Sequence, residues 1–255
     1  EILEDKHSNI APPSHLNYFS NWTGYVYPLN SKINMKYWIF DLDNTLYSGQ
    51  TKVFEQVDKK MSSFISKKLN VSLDEAKKIQ KQYFHKYSTT LSGMIKHHNI
   101  DANEFLEFVH DVNLDFLDKN EELKKEIKKI SGKKIIFTNG SKAHAENVTK
   151  KIGINKLFDG VFDIVDANFI PKPSMESYKK IIEKYKIEPQ YCIFIEDIAR
   201  NLKPAHELGM KTVWIKNDEP WAAEFSGESF INYRTENLTN FLKECNELRN
   251  NWKIN

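Results

Sequence analysis

The sequence contains little cysteine, with two residues of this type at positions 192 and 245. Their separation fits neither a metal-binding motif nor a disulfide framework. Cys192 also lies within a continuous apolar run, where a thiol behaves as a small hydrophobic side chain. Reduced thiols are the simplest interpretation, and we therefore expect a cytoplasmic protein without disulfide bonds.

Long apolar runs and an excess of one charge are also missing. No run approaches the roughly 20 residues that a membrane-spanning helix needs, and no basic segment followed by an apolar one indicates a secretory signal. The 37 basic and 35 acidic residues leave a net charge of +2, which is too small to favour nucleic-acid binding. We expect neither a membrane nor nucleic acid as a partner. The oligomeric state stays open, a monomer included.

Residues 1–34 differ in composition from the rest of the chain. They contain three prolines and many Asn and Ser residues, without sustained periodicity. The first strand pattern begins directly after Met35. We expect residues 1–34 to be a flexible extension and the folded unit to start near Met35.

The remaining sequence predicts an α/β fold. Short apolar runs typical of buried strands alternate with amphipathic helical patterns, and this alternation predicts βαβ units with a Rossmann-like parallel sheet. The predicted strands are the run ending at residue 40 and residues 134–138, 161–165, 191–195 and 212–215. The helices predicted after the second strand cover residues 142–152, 174–185, 199–208 and 238–248.

The segment between the first two predicted strands contains only helical patterns. Val53, Val57 and Met61 recur at helical spacing, and Ser72 with Glu75 forms a capping box. We therefore expect residues 49–130 to form an all-helical cap domain inserted after the first strand. The α/β core would then consist of residues 35–48 and 131–255.

Two carboxylates, Asp41 and Asp43, follow the first apolar run. In open α/β sheets, ligands bind outside the carboxyl ends of the strands, where this pair falls. Two buried acids so close together need a cation to stay ionised, which favours a divalent metal. One acid can then act as a nucleophile while its neighbour transfers protons.

Two other interpretations of this motif explain less of it. A helix N-cap accounts for Asp43 or Asn44, but not for an acid that closes a buried strand. A calcium-binding loop needs glycine where Leu46 stands and a bidentate Glu where Lys52 stands. We therefore favour the metal-and-nucleophile interpretation.

Later strands also end in residues suited to phosphate or metal binding. The turn at Thr138 and Asn139 offers a hydroxyl and backbone N–H groups at a helix start, although it is also an ordinary turn sequence. Lys172 stands between two prolines and can supply a fixed positive charge; an exposed loop lysine is the alternative. Glu196 and Asp197 close another apolar run and need a cation, as the first pair does.

These four strand ends resemble, in residue type, order and spacing, the four motifs of the haloacid dehalogenase superfamily over residues 35–214. The resemblance implies that Asp41 is the nucleophile, forming an aspartyl-phosphate, and that Asp43 is the general acid/base. True dehalogenases lack a carboxylate at the second position, because a departing halide needs no proton, whereas the leaving group of a phosphate ester does. Asp43 therefore favours phosphatase chemistry.

The same resemblance implies roles for the other motif residues. Thr138 and the Asn139 amide would bind the phosphoryl oxygens, and Lys172 would offset their charge. The cofactor would be Mg²⁺. Its expected ligands are the Asp41 carboxylate, the Asp43 carbonyl and Asp197, with Glu196 in support, directly or through water. The helical insertion occupies the position of the superfamily's C1 cap, and a closing cap favours small phosphorylated metabolites as substrates.

Within the superfamily, the segments 41–47, 83–94, 108–112 and 195–202 look like those of bacterial pyrimidine 5′-nucleotidases. That branch commonly has Gly where Ser88 stands and Arg where Ser92 stands. Our candidates for contacting the leaving group are Tyr47, Tyr87, Thr90, His110 and Asp111. For His110 and Asp111, a local structural hydrogen bond is the alternative interpretation.

The sequence thus predicts a Mg²⁺-dependent phosphomonoesterase that hydrolyses pyrimidine nucleoside 5′-monophosphates to nucleoside and phosphate. Three alternatives stay open. The first is a phosphatase of another small metabolite, such as phosphoglycolate, a sugar phosphate or pyridoxal phosphate. The second is a phosphomutase with the same core chemistry. The third is a capped binding protein with a silent site.

Overall fold

The computed structural model describes residues 35–251, and the expectation for residues 1–34 lies outside them. Six strands form one sheet in the order β3-β2-β1-β4-β5-β6, and every described strand pair is parallel. The strands are β1 (Tyr37–Phe40), β2 (Lys133–Phe137), β3 (Gly160–Phe162), β4 (Cys192–Glu196), β5 (Lys211–Ile215) and β6 (Tyr233–Thr235). The predicted α/β fold with a parallel sheet is confirmed.

Helices flank this sheet and fill the insertion after β1. The insertion contains α1 (Lys52–Leu69), α2 (Leu73–Tyr87), α3 (Thr90–His98), α4 (Ala102–His110) and α5 (Glu121–Lys129). The later helices are α6 (Lys142–Lys151), α7 (Met175–Tyr185), α8 (Leu202–Glu207), α9 (Pro220–Ala223) and α10 (Leu238–Asn251). None of the helices within residues 35–251 combines the length and hydrophobicity that a bilayer crossing requires.

Local sequence accounts for the start of α2. The Ser72 hydroxyl accepts a hydrogen bond from the Glu75 backbone N–H at 3.2 Å, as the capping box predicts for the start of α2. The sequence patterns do not predict α3, α9 or β6. Helix α9 has four residues and β6 has three, too few to establish a periodicity. Helix α3 has nine residues, as α4 does, so its length does not explain why it was missed.

The core strands are buried on both faces, since successive side chains of a strand point to opposite sides. In β1, Phe40 belongs to the hydrophobic cluster on one side of the sheet and Ile39 to the cluster on the other. Both side chains are almost completely buried. This packing explains why the strand reads as a continuous apolar run, and it fixes where the following acids emerge.

The insertion divides between two hydrophobic clusters. Helices α1–α4 pack around their own cluster, which includes Phe64, Phe105 and Val109. In α5, by contrast, Leu123 and Ile127 pack into a cluster of the sheet. Within the predicted cap, α1–α4 therefore share a cluster of their own, whereas α5, which precedes the predicted boundary at residue 130, packs on the sheet.

Candidate active site

The carboxyl ends of β1 and β4 bring the acidic residues together. Phe40 pairs with Ile195 in the parallel ladder, and the Asp41 backbone N–H donates to the Ile195 carbonyl at 2.9 Å. Glu196 is the last residue of β4, and Asp197 follows it. Because the two strands are neighbours in register, their terminal acids lie at one edge of the sheet.

Lys172 lies between the acids of these two strands. Its ammonium donates to Asp41 Oδ1 at 2.6 Å and to Glu196 Oε2 at 2.6 Å, and a third hydrogen bond goes to the Phe137 carbonyl at 2.9 Å. The residue is 2% exposed, which excludes an exposed loop lysine. Burial would lower the pKa of Lys172, but the two carboxylates outweigh it and raise that pKa above its usual range.

Asn139 holds the lysine in place through its side chain. The Lys172 backbone N–H donates to Asn139 Oδ1 at 2.8 Å, and Asn139 Nδ2 donates to the Lys172 carbonyl at 3.3 Å. This pair of bonds fixes the backbone of the loop after β3 to the turn after β2. The sequence predicted a role for the Asn139 amide in phosphate binding and gave no sign of this side-chain contact.

Glu196 is completely buried, and both of its oxygens are occupied. Oε1 accepts from the backbone N–H groups of Asp197 and Ile198 at 3.2 and 3.1 Å. Oε2 accepts from Lys172 and, at 3.1 Å, from Asn201 Nδ2. These bonds hold the Glu196 carboxylate in place, and it in turn fixes the position of the Lys172 ammonium.

Asp41 and Asp197 each keep one carboxylate oxygen that accepts no hydrogen bond from residues 35–251. The occupied oxygens are Asp41 Oδ1, bonded to Lys172, and Asp197 Oδ2, bonded to Asn217 Nδ2 at 2.7 Å. One ligand oxygen from each of Asp41, Glu196 and Asp197 lies within 4.8 Å of the others. Oxygen donors at this spacing suit a hard divalent cation.

The charge balance of this edge also calls for a cation. Three buried carboxylates face one lysine. Burial and then Glu196 raise the pKa of Asp41, against the effect of Lys172. Burial, followed by Glu196 and Asp41, raises the pKa of Asp197 well above its usual range. The residues therefore fit Mg²⁺, since a bound dication would stabilise the ionised carboxylates.

Thr138 directly follows β2 at the same edge and is buried. Its hydroxyl accepts a hydrogen bond from the Gly140 backbone N–H at 2.9 Å. A side chain at position 140 would begin 3.3 Å from the Thr138 hydroxyl and 3.4 Å from His110 Nε2. Glycine therefore keeps the turn open beside the threonine.

Asp43 has a different environment from Asp41. Its Oδ1 accepts from the Tyr47 hydroxyl at 2.6 Å and from His144 Nε2 at 2.8 Å. Burial alone would raise the pKa of Asp43, but His144, followed by Tyr47, lowers it to about 2. Tyr47, a candidate for leaving-group contact, thus bonds the candidate acid/base, and His144 is a site residue that the sequence analysis missed.

His110 extends this group from the cap to the core. Its ring stacks on His144 with 4.4 Å between centroids and 13° between planes. Its Nδ1 lies 3.0 Å from the Ser141 hydroxyl. Burial and then His144 lower the pKa of His110 to about 3. Of the cap candidates, His110 is therefore the residue that the described contacts bring to the motif residues.

The structure gives the other three cap candidates different partners. Tyr87 bonds His97 Nε2 at 2.5 Å, and the buried Thr90 hydroxyl donates to the Gln80 carbonyl at 3.4 Å. Asp111 pairs with Lys60 at 2.7 Å, and its side chain is 85% exposed. These contacts lie within the cap or on its surface. In the structure, the three side chains therefore do not reach the acids at the strand ends.

A second contact between cap and core involves aromatic residues that are not among the predicted site residues. Trp221 of α9 meets Phe54 of α1 at 6.4 Å and Phe84 of α2 at 5.2 Å between ring centroids. The Arg200 guanidinium lies 4.6 Å from the centre of the Phe84 ring. Only the tertiary structure could reveal this contact, because its members come from four separated segments.

The sequence model of the haloacid dehalogenase-like hydrolases matches residues 35–209. This match, on an α/β fold with motif residues at successive strand ends, shows that the chain belongs to the haloacid dehalogenase-like hydrolase family.

Two curated relatives and one solved structure give the context. Phosphate metabolism protein 8 of Saccharomyces cerevisiae is 30% identical over 195 residues, covering 69% of this chain and 60% of that protein, so the match spans less than two thirds of the yeast protein. Glyceraldehyde 3-phosphate phosphatase of Methanocaldococcus jannaschii is 25% identical over 200 residues, covering 69% and 83%. A haloacid dehalogenase-type phosphatase from Thermococcus onnurineus shares the fold, with a TM-score of 0.55, 21% identity and coverage of 83% and 98%.

Proposed function

We propose that this protein is a Mg²⁺-dependent phosphomonoesterase with Asp41 as its nucleophile. One observation carries the proposal: the Asp41 carboxylate is bonded to Lys172 at the strand end, and Asp43 is available two residues later as a proton carrier. The named phosphatase relative supports the reaction class. Asp43 argues against dehalogenation, in which no leaving group needs a proton.

The reaction would proceed in two displacements. The free oxygen of Asp41 attacks phosphorus, the ester P–O bond breaks, and the leaving oxygen takes a proton from the Asp43 carboxyl. Asp43 then accepts a proton from water, whose oxygen attacks phosphorus and releases phosphate and the Asp41 carboxylate. Lys172 and Thr138 would hold phosphoryl oxygens beside the nucleophile during both displacements.

The low pKa of Asp43 belongs to the substrate-free site. An ionised carboxylate is ready to act as the base of the second displacement. To act as the acid of the first, it must gain a proton, and a phosphate dianion bound nearby raises the pKa of a neighbouring carboxyl. Asp43 would therefore take up its proton when substrate binds.

The metal ligands follow from the oxygens that the attack on phosphorus does not use. Asp197, through its free oxygen, and Asp41, through the oxygen that does not attack, would coordinate Mg²⁺ with the Asp43 carbonyl. Glu196, whose oxygens are occupied, would act through Lys172 or through water. The bound ion would neutralise charge on the phosphoryl group during transfer.

The proposed substrates are small phosphorylated metabolites, with pyrimidine nucleoside 5′-monophosphates first. The pyrimidine preference is supported by sequence resemblance, and among the candidate contacts His110 and Tyr47 lie beside Asp43 or the Gly140 turn. A three-carbon sugar phosphate is the second candidate, because one relative is named for glyceraldehyde 3-phosphate.

The test is phosphate release with Mg²⁺, with and without chelator, followed by addition of excess Mg²⁺. UMP, CMP and dUMP would be compared with AMP, GMP, glyceraldehyde 3-phosphate, phosphoglycolate, pyridoxal phosphate and hexose phosphates. Chelator-sensitive release that favours pyrimidine nucleotides would support the whole proposal. Release from another compound would keep the chemistry and reject the pyrimidine preference. Transfer of phosphate to a second hydroxyl of a sugar would indicate a mutase, and no turnover at all would overturn the proposal.

A further inference from the structure

The hydrogen bonds of Asp43 are concentrated on one oxygen. Tyr47 and His144 both donate to Oδ1, and no residue within 35–251 donates to Oδ2. The Asp43 side chain is 19% exposed, whereas the His144 side chain is 1% exposed. The occupied oxygen therefore faces buried protein, and the second oxygen is left for another partner.

Two donors on one oxygen also restrict rotation of the carboxyl group. The terminal torsion of an aspartate is broad when nothing constrains it. Charge-assisted bonds of 2.6 and 2.8 Å to fixed donors remove this freedom. The direction of Oδ2 then follows from the positions of Tyr47 and His144.

His144 is itself held from two sides. It lies in the first turn of α6, where the Ser141 hydroxyl accepts from its backbone N–H at 3.3 Å. Its ring is covered by the His110 ring of the cap at 4.4 Å, and the Ser141 hydroxyl that caps α6 also bonds His110. The orientation of His144 thus depends on a residue that the cap supplies.

We infer that His144 is a positioning residue, which together with Tyr47 directs Asp43 Oδ2 toward the leaving oxygen of the substrate when the cap places His110 against it. The inference deepens the proposed function and rests on it. It assigns His144 no contact with the substrate. A purely structural histidine would contribute to stability without affecting how the rate depends on the leaving group.

The experiment uses this dependence. An alkyl phosphate needs a proton on its leaving oxygen, whereas p-nitrophenolate departs with little assistance. The quantity to compare is kcat/KM, which reports the steps through the first irreversible displacement and is unaffected by the later release of phosphate that all substrates share. The substrates are p-nitrophenyl phosphate and the best alkyl phosphate of the panel.

His144→Phe keeps a ring for His110 to stack on but removes the donor to Asp43. We expect kcat/KM for the alkyl phosphate to fall by about 10²-fold or more, the range of general acid catalysis, and kcat/KM for p-nitrophenyl phosphate to fall by less than about tenfold. His144→Gln restores an N–H donor and should recover much of the alkyl phosphate rate. His206→Gln, the same change on α8, is the control and should alter neither rate.

Tyr47→Phe provides a second test if His144→Phe fails to fold. It removes only the other donor to Oδ1, so a smaller loss with the same leaving-group dependence is expected. If kcat/KM fell equally for both substrates in the folded variants, or did not fall, the role of His144 would be overturned. Turnover by the wild type would still support the proposed function in that case. Absence of wild-type turnover on both substrates would overturn the proposed function itself.

Discussion

The carboxyl edge of the sheet and the cap differ in how their polar side chains are used. At the sheet edge, Lys172 is buried between Asp41 and Glu196. In the cap, Tyr87 bonds a neighbouring helix and Asp111 lies exposed on the surface. The sheet edge is thus a preorganised charged site. The polar side chains of Tyr87 and Asp111 in the cap instead bond to other cap residues or face solvent.

The difference teaches which sequence signals carry positional information. A residue that follows a buried parallel strand has a defined place, because neighbouring strands end at one edge. A residue on a helix of the insertion can face the cleft, the cap interior or solvent, and its neighbours in sequence do not decide which. Of the cap candidates, His110 is the one placed against core residues, by its stack on His144.

The largest effect should come from removing the nucleophile. Asp41→Asn preserves shape and loses the attacking carboxylate, so we expect turnover of every substrate to fall by at least about 10³-fold. Phosphate release at saturating substrate measures it, and circular dichroism checks that the fold is retained. Substantial remaining turnover in a folded variant would reject the two-displacement mechanism.

Lys172→Met tests whether the sheet edge depends on its buried lysine. The change leaves Asp41 and Glu196 buried without their partner, so the free energy of unfolding should fall by about 3–5 kcal/mol. Urea unfolding monitored by circular dichroism gives the value. Lys151→Met, which breaks an exposed pair with Asp115 at 2.8 Å, is the matched control and should have barely any effect. A similar loss of unfolding free energy in the two variants would contradict the distinction between the buried ion pairs of the sheet edge and an exposed pair.

Ile164→Ala addresses the contact between the two regions. Ile164 follows β3 in the core, yet its buried side chain belongs to the cap cluster. We expect the free energy of unfolding to fall by about 2–5 kcal/mol, with KM rising more than kcat falls because the cap seats less firmly. Val165→Ala removes a 44% exposed neighbour and should leave both unchanged. If kcat alone fell, cap seating would not be the function of this contact.

The smallest effect is expected for Asp111→Asn. The side chain pairs with Lys60 at the surface, so kcat/KM for each nucleotide should stay within about twofold of wild type. The measurement is a comparison of UMP and CMP. A selective loss for one base would mean that Asp111 turns toward the substrate, and it would restore the role that the sequence analysis gave it.

The amino-acid sequence predicted the parts of the fold that repeat a strong local pattern. It predicted the parallel sheet, the helical insertion and the capping box at Ser72, because buried strands and amphipathic helices leave a periodicity of their own. It did not predict β6 or α9, which have three and four residues, nor α3, which is as long as α4, nor the packing of α5 on the core. Helix α5 needs an apolar face whether it packs on the cap or on the sheet. Its sequence does not indicate which of the two surfaces covers that face.

The sequence by itself determined that Asp41, Asp43, Glu196 and Asp197 lie at the ends of buried strands, since apolar runs of strand length fix where the polar residues emerge. Only the tertiary structure decided what surrounds them. His144 approaches Asp43 from a helix 101 positions away in the sequence, and His110 joins it from the cap. Such contacts depend on how separate elements pack, and packing direction is not encoded in the spacing of any one segment.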